Sequence, residues 1–160
     1  MEQRKLDAVA YIVYDDEKEQ ALQKQMFAET CQTRGYRTYE HPEFVFFKEK
    51  RGERTQLTQM LNLLTDNTVI VIIDLNDILD LDEPACGEYR SMDILETAVQ
   101  EKRNCSIYYV LQDCHCTNYA GYHEAHMYGI MRSAEQSVAK RREDYRRNIS
   151  RNTLLVVNEN

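Results

Sequence analysis

The chain has no tryptophan, no internal repeat and no low-complexity segment. No apolar run in it approaches the roughly 18 residues that a membrane span needs, so a membrane role is not expected. Met1-Glu-Gln-Arg-Lys5 is not followed by the apolar core of a secretion signal, which points to a cytoplasmic protein. Five cysteines are an odd number, and Cys31, Cys86 and Cys105 lie scattered through periodic segments. That pattern excludes a disulfide scaffold and favours reduced thiols. Aromatic content is skewed, with 11 tyrosines against 4 phenylalanines, so much of the aromatic surface carries a polar tip. A net charge of -7 repels phosphate backbones on average and leaves nucleic-acid binding to a local basic patch.

What is present reads as one α/β domain. At 160 residues and 42% hydrophobic, the chain can bury a single sizeable core. Ala8 to Tyr14 is a continuous apolar run, and Gln20 to Arg34 follows with Leu22, Met26, Phe27 and Thr30 at helical spacing before a stop at Gly35. Tyr36 to Tyr39 restarts as a strand, and Phe44 to Phe47 is its continuation or a separate edge strand. Lys48 to Arg54 reads as a charged loop. Thr55 to Leu64 places Leu57, Met60, Leu61 and Leu64 on one helical face. Val69-Ile-Val-Ile-Ile73 is a buried strand, Met92 to Lys102 a helix, and Ser106 to Leu111 the next strand. This alternation predicts a three-layer fold, with a mostly parallel sheet, flanking helices and a long C-terminal helix. The core spans 1–121 and the helix 122–151, where there is no proline and only Gly129 among glycines. Residues 152–160 form a tail whose Leu154-Leu-Val-Val157 adds an edge strand or docks on a partner.

The crevice beyond the carboxyl ends of such strands is the default ligand site. Here it is acidic: Asp15 and Asp16 follow the first strand, and Asp74-Leu-Asn-Asp77-Ile-Leu-Asp80 follows the Val69 strand. Converging carboxylates can hold magnesium. Tyr11-Ile-Val-Tyr-Asp-Asp-Glu17 locally resembles the acidic pair of phospho-receiver domains, which would make Asp74 a phosphate acceptor. The hydroxyl residue expected after the next strand is absent, since Gln112 and Asp113 follow Leu111. No lysine closes a fifth strand, and the segment Tyr36 to Arg54 is extra.

A second resemblance covers Ala8 to Arg151 and follows its element order. The chain is similar to the catalytic domain of the serine recombinases, the resolvase and invertase family. The family's opening tyrosine and Arg-Val-Ser fall on Tyr11-Ile-Val-Tyr-Asp15. Its mobile-loop arginine falls on Arg54 in Glu53-Arg-Thr-Gln-Leu57, and its Leu-Asp-Arg-Leu-x-Arg motif falls on Leu75-Asn-Asp-Ile-Leu-Asp80. Glu101-Lys-Arg, then Thr117-Asn-Tyr-Ala-Gly121 and a long helix, track the approach to the family's dimerisation and DNA-crossing helix. The chemistry of that family needs a serine nucleophile and arginines to stabilise the developing phosphorane. This chain has Asp15 or Asp16 at the nucleophile position and no serine before Ser91. Val13, Asp77 and Asp80 stand where the family has arginines, Asn76 where it has aspartate, and only Arg54 survives.

The resemblance therefore implies an inactive recombinase-like protein, not an enzyme and without a cofactor. It would act as a homodimer or as a heteromer with a recombinase in DNA recombination or mobile-element transactions. With the chain ending at Asn160, the family's separate helix-turn-helix domain is expected to be missing. Lys140, Arg141, Arg142, Arg146, Arg147 and Arg151 on the distal helix are the DNA-binding candidates, interspersed with Glu143 and Asp144. Met127, Ile130, Met131, Ala134 and Val138 form a stripe suited to packing or dimerisation. Cys114, Cys116, His123 and His126 are candidate zinc ligands by type. Asp80, Asp82 and Glu83 before Pro84 could bind a cation, the alternative being a hydrated acidic loop.

Overall fold

The computed structural model describes residues 5–38, 45–82 and 90–159, with side chains through Arg151. Its elements run β1 (Asp7–Tyr14), α1 (Glu17–Arg34), β2 (Phe46–Lys50), α2 (Thr55–Asn62), β3 (Thr68–Ile72), α3 (Leu75–Leu79), α4 (Arg90–Gln100), β4 (Ser106–Tyr109), β5 (Cys114–Cys116) and α5 (Tyr119–Glu159). The strands form a five-stranded sheet in the order β2-β1-β3-β4-β5. β1 pairs in parallel with both β2 and β3, and β3 with β4. Only β5 is antiparallel, placing Ile107 opposite Cys116 and Tyr109 opposite Cys114.

The continuous apolar character of β1 and β3 follows from burial on both faces. Successive side chains alternate across the sheet. Val9, Tyr11, Val13, Ile70, Ile72, Ile107 and Tyr109 face one core, shared with Leu57 and Met60 of α2, Leu75 and Ile78 of α3 and Leu95 and Val99 of α4. Ala8, Ala10, Ile12, Val69, Val71 and Tyr108 face the other core, shared with Phe27 and Cys31 of α1. These are the three layers expected from the alternating pattern.

One buried carboxylate joins three elements. Glu49 of β2 is 2% exposed and accepts hydrogen bonds from the Tyr11 hydroxyl and from the backbone N–H groups of Gln56 and Leu57. The first turn of α2 has no side-chain cap of its own, because Arg54 at its N-cap makes none. Glu49 supplies an acceptor where the unpaired N–H groups and the helix dipole favour negative charge.

Several boundaries differ from the sequence pattern, each for a local reason. α1 starts at Glu17 because the Asp16 carboxylate caps the Glu19 N–H at 2.8 Å. Of the expected Tyr36–Tyr39 strand, a single bridge between Asp7 and Arg37 forms, and Tyr39 lies outside the described residues. β2 extends into the charged segment through Lys50, since Phe47 and Glu49 turn inward while Lys48 and Lys50 stay exposed. The acidic stretch after β3 is a helical turn, α3, capped by Asp74. Cys114 to Cys116, which shows no strand pattern in the sequence, forms the edge strand β5. α5 begins at Tyr119 and its backbone stays helical through residues 154–157, which overturns the edge-strand alternative for the tail.

Gly121, one turn into α5, lies against the β5 backbone. A Cβ there would collide with the His115 carbonyl oxygen and the Cys116 Cα. Backbone atoms cannot swing aside, so Gly121→Ala is expected to cost about 1–3 kcal/mol. The check is a lowered urea midpoint at unchanged slope.

Candidate functional site at the strand ends

β1, β2 and β3 end side by side, and the residues just past them converge on one guanidinium. Gly52, at φ +94°, takes a backbone conformation open mainly to glycine. It reverses the chain directly after β2, and the Arg51 N–H bonds the Tyr14 carbonyl at 3.2 Å. The Arg51 side chain is thereby held at the end of β1. Its Nε meets Asp15 at 3.0 Å, Nη2 meets Glu19 at 3.0 Å and Nη1 meets Asp77 at 3.2 Å. Asp80 stands 3.9 Å from Nη1 and also pairs with Arg132 of α5. Four carboxylates thus share two guanidinium groups, and the local excess is negative.

The electrostatics match that count. Arg51 is held even more firmly protonated than usual, first by its hydrogen bond to Asp15 and then by Asp77. Asp77 is 8% exposed, and desolvation outweighs the pull of Arg51, so its carboxyl is pushed up to about 6. Around this centre the other acids are taken up structurally. Asp74 Oδ1 accepts from the Asn76 N–H at 2.9 Å, from Asn76 Nδ2 at 3.0 Å and from Gln112 Nε2 at 2.8 Å. Asp16 caps α1. Asp82 accepts from the Ser91 N–H at 2.6 Å, from the Ser91 hydroxyl at 3.0 Å and from Arg54 at 3.2 Å. Asp82 thus ties the start of α4 to Arg54 rather than standing as a free cation ligand. Glu83 lies outside the described residues.

The positions singled out by the sequence fall as follows. Asp15, Asp77 and Asp80 are brought together around Arg51. Val13 is buried in β1. Asn76 joins the periphery by donating to the Tyr128 hydroxyl at 3.0 Å. Arg54, the one basic position carried over from the recombinase pattern, bonds Asp82 and Ser91 instead of the central group. Arg51, Glu19 and Arg132 carry no such mark in the sequence. Arg51 lies in a charged stretch that reads as a solvated loop, and only the β2 register and the Gly52 turn give it a role.

The four zinc-ligand candidates do not form one set. Cys114 and Cys116 are buried on β5, with sulfurs 3.9 Å apart, and both donate to the Gly121 carbonyl. Burial drives both thiols upward. His123 stacks on Tyr119, and His126 pairs with Glu96 of α4. Among the described residues the cysteines are unpaired with one another as disulfides, and Cys86 lies outside them.

α5 divides into two parts. Its root is fixed by Ala125 in the core and by three polar links, His126 to Glu96, Tyr128 to Asn76, and Arg132 to Asp80. From Glu135 to Arg151 every side chain is exposed, including Lys140, Arg141, Arg142, Arg146, Arg147 and Arg151. Arg147 pairs with Glu143 one turn away. No known family model matches the chain, and no curated protein sequence matches it. Among the described residues no helix is long and apolar enough to cross a membrane.

The Asp77 environment sets a pH dependence. An unfolded aspartate titrates near 3.8 and the folded Asp77 near 6. Between those values the folded state holds the extra proton, so this group's contribution to stability falls as pH rises from about 4 to about 6. The loss approaches about 3 kcal/mol. Asp77→Asn, which stays neutral, is expected to flatten that part of a stability-against-pH profile measured by urea unfolding.

Proposed function

We propose that this chain is a serine-recombinase-like protein that cleaves no DNA and acts in DNA transactions by pairing through α5. The observation that carries the reading is the two-sided character of that helix. Its 41 residues make a rod about 60 Å long, and its distal part gains nothing from the core. An isolated helical stretch of that kind is marginal in water. Met127, Met131, Ala134, Val138, Arg141 and Tyr145 follow one another at alternating spacings of four and three, the seam of a helix that packs on another helix. Most of these apolar side chains are open, Met131 at 59% and Tyr145 at 68%. Lys140, Arg147 and Arg151 share a side about 140° around the helix from that seam. A second copy covering the seam would leave the basic row facing outward, toward phosphates.

The lack of cleavage rests on the strand ends. Recombinase chemistry would need a hydroxyl nucleophile and cations around a scissile phosphate. At the corresponding place Asp15 is locked onto Arg51, with Glu19, Asp77 and Asp80 around it. A phosphodiester entering there meets a net negative group, and repulsion in a partly desolvated site is strong.

Two measurements test the reading. Sedimentation of the whole chain is expected to give a dimer, and Val138→Glu is expected to shift it to monomers. Arg147→Glu with Arg151→Glu is expected to weaken binding to duplexes of unrelated sequence by a similar factor. The same pair should lower the salt slope by about 0.9 for each phosphate that is no longer neutralised. A covalent protein–DNA species trapped on supercoiled plasmid, or a monomer that ignores DNA, would overturn the proposal.

A further inference from the structure

The link between α4 and the root of α5 is more than a hydrogen bond between helices. Asp93 and Glu96 stand three residues apart on one face of α4, and His126 reaches them from α5. One ligand-type atom from each of the three lies within 4.8 Å of the others. His126 Nε2 and Glu96 Oε2 are already 2.6 Å apart. Glu96 is 7% exposed, and its second oxygen, Oε1, is enclosed without a hydrogen-bond partner among the described residues. An enclosed carboxylate oxygen left unsatisfied costs stability and calls for an explanation. A simple Glu–His pair leaves that oxygen unanswered, and it gives Asp93 no part.

We propose that Asp93, Glu96 and His126 form a site for a divalent ion of the zinc class, clamping α4 to α5 where the long helix leaves the core. One imidazole nitrogen and two carboxylates suit zinc, and a water completes four-coordination. With bonds near 2.1 Å, a tetrahedral ion sets its donors about 3.4 Å apart. The widest pair here therefore closes by about 1.4 Å at most. Asp93 is exposed and free to make that movement by changing rotamer. On binding, the proton shared by His126 and Glu96 leaves and the ion takes its place, so no redox partner is needed. The site uses neither Cys114 nor Cys116. It does not depend on the recombinase reading, since it concerns only how α5 is anchored.

The test uses the full chain stripped with a chelator and titrated with zinc chloride against a chromophoric competitor. One ion per chain is expected. Asp93→Asn, an exposed and isosteric change, should weaken uptake about tenfold or more while its far-ultraviolet circular dichroism stays that of the parent. His126→Gln should do the same, and bound zinc should raise the melting temperature of the parent but not of Asp93→Asn. Cobalt in place of zinc should give a spectrum without a thiolate charge-transfer band. Absence of stoichiometric uptake would overturn the proposal. So would uptake unchanged in both variants, or a thiolate band that places the ion on the β5 cysteines.

Discussion

A single guanidinium at the end of β2 makes it possible for the ends of β1 and β3 to carry acids side by side. Without Arg51, the parallel alignment of β1 and β3 would set Asp15 and Asp77 near one another, with Arg132 committed to Asp80. Arg51 reaches them because β2 lies beside β1 and because the chain reverses at Gly52. The arrangement commits Arg51 and Arg132 to its own carboxylates and keeps a negative excess. The same group also steadies α5, through Asp80 and Arg132.

The sheet makes this group rigid. Both faces of β1 and β3 are covered, so each strand side chain is committed to one core or the other. A slip of one residue in register would exchange the two sets. Glu49 adds a polar constraint inside that packing, since its carboxylate is held by Tyr11 and by the start of α2. Against this rigid body α5 behaves differently. Its first turns are part of the core, and from Glu135 to Arg151 every side chain is exposed. The division falls just after Arg132, which ties the helix to Asp80.

How much could be read without coordinates depended on whether the signal was periodic. Val69 to Ile73 and Ile107 with Tyr109 announce a buried parallel sheet, because burial on both faces leaves no room for polar residues, and Leu57 with Met60 announces the helix that covers it. The Gly35 stop was legible as well, and the glycine does take the left-handed conformation at φ +71°. Short or mixed elements were not. Cys114 to Cys116 is three residues long, and its strand character comes from pairing with β4. Lys48 to Lys50 looks like a solvated loop until Glu49 is seen to point inward. At the site, the acids Asp15, Asp77 and Asp80 were found because they sit beside strand ends, whereas Arg51 had no such marker.

Composition and periodicity alone specify a three-layer α/β domain with an acidic crevice and a long charged helix, since hydrophobic burial is a local, repeating demand on the chain. Which opposite charges meet is a different kind of fact. Arg51 and Asp77 are 26 positions apart, and Glu96 and His126 are 30 apart. Such pairs depend on strand register, turn geometry and the angle at which helices cross. Those features are set by packing the whole core at once, and no stretch of sequence carries them.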